Sequence, residues 1–192
     1  ALAARPAGLP ADGTLLVLPL RDPADPKRSP RALYAKAVAL DAVVLLTLRR
    51  LEAIELELTA AAGGPARHAI RELAAPGEAR TTLRQEPEGW QRAYAVRDGE
   101  HLYEGGGRDP GRPDRTRVMV GVRLDEAGTP RPLDDGAPTI YSYLPTAEHS
   151  GLRVFVQGHF DVPVDRERIA PEADWNRWLL SHVPAQLARV AA

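Results

Sequence analysis

The chain predicts an α+β fold, with a long core helix packed on a mostly antiparallel sheet and a C-terminal helix closing it. Three observations carry this. Leu33, Ala37, Leu40, Val44, Leu48 and Leu51 recur at helical spacing. Val118, Val120, Val122 and Leu124 alternate with Arg117, Met119 and Arg123, the period of a strand with one apolar face. The order strand, long helix, run of strands, C-terminal helix is that of α+β rather than of repeated βαβ units.

The elements follow in order. Asp12, Gly13 and Thr14 lead into an apolar strand at 15–20 that has no partner nearby in sequence. An orphan first strand is expected of a fragment or of a domain cut from a larger protein. Residues 22–30 form a proline- and charge-rich linker. Ser29 before Pro30 is a helix start, with the serine as N-cap and the proline in the first turn. The leucine stripe, widened by Val43, Leu45 and Leu46, extends this helix over residues 29–50 and buries it on more than one side.

The middle of the chain is β-rich. Ile54, Leu56 and Leu58 alternate with Glu55 and Glu57, and a weaker strand runs over 69–73 between two glycine–proline breaks. Segments 81–85 and 90–97 form a hairpin across Pro87, Glu88 and Gly89. The glycine-rich stretch 105–114 is a loop, and further strands run over 139–144 and 152–160. At the C-terminus, Trp175, Trp178, Leu179, His182 and Val183 share one helical face and read as core. Asp174 is placed to cap that helix and Pro184 to kink or divide it.

The chain has 192 residues, 44% of them hydrophobic, which suits one domain with a core of its own. A formal net charge of -1 gives no global electrostatic case for nucleic acid or an anionic membrane. Cysteine is absent, which removes disulfides, thiolate metal sites and a cysteine nucleophile together. The first residues lack the apolar centre of a signal peptide, and the run 37–48 is too short to span a bilayer. The expected location is cytoplasmic, and the alanine, arginine and proline bias suits a GC-rich, bacterial genome.

Chemistry is sparse. No two of the five histidines sit at helical ligand spacing, and the His159–Asp161 pair lacks a third ligand. No G-x-S-x-G occurs, and the glycines at 105–107 are followed by prolines rather than a helix. Segment 152–190 concentrates what remains. It holds two of the three tryptophans, both phenylalanines, and a turn carrying Asp165, Arg166, Glu167 and Arg168. An arginine there can offer a fork of donors to an anion, or can pair with the neighbouring carboxylates on a solvated surface.

The motif order is informative as a set. It runs Gly13-Thr14 with Pro19-Leu20-Arg21, Ile54-Glu55-Leu56 and Leu144-Pro145-Thr146. Phe160 with Val162, Arg166-Glu167 and Ile169 comes next, and Trp175-Asn176 with Trp178-Leu179-Leu180 ends it. This order resembles the region after the ATP-binding module in sacsin-like proteins of the GHKL ATPase superfamily, relatives of the ninety-kilodalton heat-shock chaperones. The resemblance covers most of the chain, loosely between residues 60 and 115. It implies that residues 1–28 are the last strand of a preceding ATPase-type module plus a linker, and that residues 29–192 are a middle-type α+β domain.

It further implies that this domain couples nucleotide state to partner or client binding. Residues 161–167 look like a shortened form of the family segment whose arginine approaches the γ-phosphate, and Arg166 is the matching position. Arg168 and Arg153 are the alternates, and Arg166 and Arg168 are the residues expected to touch nucleotide. No N-box asparagine helix, D-x-G-x-G or glycine-rich ATP lid occurs. The chain alone is therefore expected to bind no cofactor and show no activity; ATP and Mg are implied only for a separate N-terminal module. The implied partners are that module and client proteins, with a homodimer allowed. A rival reading is a stand-alone protein-interaction module, which would carry an exposed apolar patch. A weaker one is nucleic-acid binding around Arg115, Arg117 and Arg123.

Overall fold

The computed structural model describes residues 25–27, 29–48, 51–58, 65–74, 80–103, 114–137, 139–164, 168–170 and 172–191. The expected strand at 15–20, most of the glycine loop and Arg166 lie outside these residues, so the assignment of residues 1–28 does too.

The α+β class holds, but one long core helix does not form. Two short helices, α1 (Pro30–Val38) and α2 (Val44–Thr47), take its place. Ser29 caps α1 as its sequence implies, its Oγ accepting from the Ala32 N–H at 3.2 Å. The break follows from Asp41, whose side chain accepts the Val43 N–H at 2.8 Å and so competes with a continuing helix. The two halves also differ in burial. α1 has no buried residue and leaves Leu33 exposed, whereas every residue of α2 is buried.

The sheet begins with β1 (Ala53–Leu58), β2 (Ala66–Ala74), β3 (Arg80–Glu86), β4 (Gln91–Leu102) and β5 (Arg115–Leu124), an antiparallel run of neighbours. The short β6 (Pro130–Arg131) pairs with β5. Beyond β5 lie β9 (Phe155–Gln157), β7 (Ile140–Ser142) and β8 (Leu144–Pro145), in that spatial order. The β7–β9 pairing is parallel, which makes the sheet mixed. Two expected strands are shorter than their sequences suggest. The 139–144 strand is cut at Tyr143, whose φ of 64° takes the backbone into the left-handed region. Of residues 152–160, only Phe155–Gln157 extends as a strand.

Helices cover both faces. On one face, Val43, Leu45 and Leu46 pack with Ile70, Leu83, Tyr94, Tyr141 and Phe155. On the other, α3 (Asp174–Ser181) and α4 (Val183–Ala191) lie against Val118, Val120 and Val156. This is why β5 alternates so cleanly: its valines meet α3 and α4, while Met119 and Gly121 turn towards the α2 side. Trp175 and Leu179 are core, as their helical face predicts, and the helix divides at His182 just before Pro184. The N-cap is Ala173 rather than Asp174, which is the first helical residue and pairs with Arg177.

Among the described residues three buried side-chain atoms lack a hydrogen-bond partner: His68 Nε2, His182 Nε2 and the Tyr141 hydroxyl. The Tyr141 hydroxyl is fully buried without a hydrogen bond. Burial, and then the charge of Asp41, push its proton affinity up. Tyr94, in the same cluster, is pushed up to about 12 by the same two causes. Tyr141→Phe removes an unsatisfied polar atom and keeps the ring. It should raise unfolding free energy by about 1 kcal/mol, read as a higher urea midpoint at unchanged slope. A lower midpoint would mean that the hydroxyl is satisfied in solution.

Candidate functional site

The two flanks of the arginine-bearing segment, at Asp161 and Ala170, are tied to the helix that follows it. Asn176 is fully buried, and its side chain reaches both ends of the turn. Its Oδ1 accepts the Asp161 N–H at 2.8 Å, and its Nδ2 donates to the carbonyls of Asp161 and Ala170, each at 3.0 Å. One amide thereby closes the base of the segment between Asp161 and Ala170. Beside it, the Trp175 indole N–H donates to the His159 carbonyl at 2.7 Å. Phe160 and Ile169, which flank the turn, are buried in one cluster with Trp175 and Leu179. The motif residues at 160, 169, 175, 176 and 179 thus build a rigid seat and do no chemistry themselves.

A surface cavity of about 800 Å³ adjoins this seat. It is lined by Ala147, Glu148, Pro163, Arg168, Ile169, Ala170 and Glu172. Ala147 and Glu148 of this lining directly follow the 144–146 motif, whose Thr146 donates from its backbone N–H and its Oγ1 to the Ile140 carbonyl.

The alternates for Arg166 separate clearly. Arg168 is exposed and lines the cavity. Arg153 is occupied elsewhere, donating to the Leu133 carbonyl and pairing with Asp135 at 3.1 Å. Arg166 itself lies outside the described residues. The rival basic face is neutralised pair by pair: Arg115 with Glu100, Arg117 with Asp98 at 2.8 Å, and Arg123 with Asp134 at 2.7 Å. The Arg123 hydrogen bond holds the Asp134 carboxyl below its usual range.

A stretch of 71 residues, 36% of this chain, is 35% identical to the protein NO VEIN of Arabidopsis thaliana. The match spans 2% of NO VEIN, so the likeness is local. No family model matches the chain, and no solved structure matches it.

The cavity limits what can bind. Among the described residues its lining sets the Arg168 guanidinium against two carboxylates, Glu148 and Glu172. A phosphate there would meet Arg168 favourably and both glutamates unfavourably. Among the described residues no three His, Cys, Asp or Glu side chains gather in a way that could hold a metal. No helix among the described residues is long and apolar enough to cross a membrane.

Sequence reasoning missed one arrangement. His101 and His182 stack on each other although nothing in their spacing joins them. The hint available was that His182 shares a helical face with both tryptophans.

Proposed function

We propose that the chain is the middle, transducer-type domain of a sacsin-like, chaperone-related ATPase. It couples the nucleotide state of a separate ATP-binding module to the binding of partner or client proteins. The observation that carries the reading is the Asn176 clamp, which gives an arginine-bearing turn a rigid base beside an open cavity. A transducer needs such a base: an arginine meeting a γ-phosphate transmits force only if its own backbone is fixed. The local likeness to NO VEIN adds that related sequence occurs within a far longer protein, the setting in which a coupling domain operates.

The role proposed for Arg166 is charge stabilisation on the terminal phosphate, with nucleotide and Mg held by the other module. With the chain joined to its native ATP-binding module, Arg166→Ala should lower ATP turnover by roughly 100-fold. Arg168→Ala should change it by less than about threefold, or take the larger loss if the turn presents that neighbour instead. Unchanged turnover in both variants removes the arginine contact from the proposal.

The rival reading, a stand-alone protein-interaction module, draws on a different observation. α1 has no buried residue, and Leu33, Leu40 and Leu51 stand exposed nearby in the chain. Under that reading, partner capture by the isolated chain is insensitive to nucleotide and to Arg166, and is lost in Leu33→Ser/Leu40→Ser.

A further inference from the structure

The end of β4 meets the α3–α4 corner through two histidines. The rings of His101 and His182 stack with centroids 3.7 Å apart and planes 17° from parallel. Trp178 stands nearly perpendicular to both. His182 is the residue between the two helices, and its Nε2 is buried without a hydrogen-bond partner. His101 Nε2 lies 3.4 Å from the amide nitrogen of Gln186, a buried side chain on α4. The Gln186 carbonyl oxygen accepts from Arg189, which fixes that amide with its N–H groups towards His101.

An amide nitrogen only donates, so the Gln186 contact suits a ring nitrogen that accepts. A proton on His182 would place a charge in a buried spot against a second imidazole. Burial first, and His101 second, hold the proton affinity of His182 below normal. The other charges on this side offer little relief. Arg97 of β4 and Arg189 of α4 are cations, and on β5 Thr116 stands opposite His101. Asp98 and Glu100 alternate onto the other face, where they pair with Arg117 and Arg115. On α3, Asp174 and Arg177 pair with each other. Among the described residues, Asp114 is an exposed carboxylate just before β5, its carbonyl accepting the Tyr103 N–H. Nor can the pair chelate a metal, since stacked rings aim their in-plane lone pairs along parallel lines rather than at one ion about 2.1 Å away.

We propose that the His101–His182 stack is an acid-operated latch that holds the α3–α4 corner on β4 while both rings are neutral and releases it on protonation. The neutral rings belong to the closed corner, so its stability is complete above about pH 6.5 and falls as pH drops below that value. Because α3 carries Asn176, release loosens the base of the arginine-bearing turn before the sheet opens.

Hydrogen exchange of the whole chain at about pH 7.5 and about pH 5.5, corrected for intrinsic rates, tests this. The α3–α4 amides should open roughly tenfold more often in acid, while those of β3 and β4 hold. His101→Phe/His182→Phe, whose rings pack but take no proton, should lose the difference. A wild-type chain with no acid response overturns the latch. So does a double variant with the same response, which would point to His68, His149 or His159. If the double variant does not fold, imidazole titration of the wild type decides: a depressed His182 titration supports the latch, and a His182 that titrates at the ordinary imidazole value overturns it.

Discussion

Asn176→Ala should cost about 3 kcal/mol of unfolding free energy, since it removes three hydrogen bonds from a fully buried amide. The cost comes less from the bonds lost than from what they leave behind. The Asp161 N–H and the carbonyls of Asp161 and Ala170 lose the amide that pairs them. Asn176→Asp is the sharper probe. It keeps the shape and the acceptor for Asp161 but replaces both donors with a carboxylate facing two carbonyls. It should be at least as destabilising as the alanine variant at neutral pH, and should recover partly in acid as the carboxyl gains a proton. Urea denaturation reads the stability. Proteolysis between Asp161 and Ala170 reads the local consequence, which should exceed the global one because Asn176 bonds to both ends of that segment. If both variants cost under about 1 kcal/mol, the turn is held by the surrounding apolar cluster and the amide is incidental.

The same residue shows how much of the site was legible in the sequence. Asn176 appeared there only as a letter inside a motif with two tryptophans, and the arginines two turns away attracted the chemical reading. Hydrophobic pattern identified the neighbours correctly, because Trp175 and Leu179 fall on one helical stripe and that stripe is buried. A buried amide that bonds only to backbone leaves no such periodic trace. The meeting of Ala147 and Glu148 with Pro163, Arg168 and Glu172 around one cavity was equally hidden, because it depends on the crossing that sets β7 beside β9.

The leucine stripe failed for a related reason. Period reports which side chains would share a face if a helix formed; it does not report whether that face is covered. Leu33 and Leu40 are each 41% exposed, whereas Val44 is 1% exposed, and the register between them is unbroken. The interruption comes from the Asp41 side chain bonding to the Val43 N–H. The β5 alternation was easy to read because both faces of that strand are covered, with valines towards α3 and α4 and a glycine towards Phe155. The His101–His182 stack could not be read at all, since it joins the end of a strand to a helix break distant in sequence.

That glycine on β5 supports the second large effect. A Cβ on Gly121 would lie 2.2 Å from both Cε1 and Cζ of Phe155, far inside contact distance. Phe155 is opposite Gly121 in the β5–β9 register and is fully buried. Its ring is held edge-to-face by Tyr94 and Tyr141, each with centroids 6.2 Å away, so it cannot swing aside cheaply. Gly121→Ala should therefore destabilise the chain by about 3 kcal/mol despite adding one methyl group to a strand position that normally favours alanine over glycine. The sign separates a packing constraint from backbone freedom, because Gly121 does not have a positive φ and its conformation suits any residue. Phe155→Leu supplies the control. It removes the ring atoms that the methyl strikes, so the two changes should not add. A double-mutant cycle should return a favourable coupling of about 1–2 kcal/mol, with the pair more stable than the sum of the single losses. Additive losses would place the strain elsewhere in β5, in the flanking valines against α3 and α4. They would also mean that the Phe155 ring does not set how closely β9 approaches β5 at Gly121.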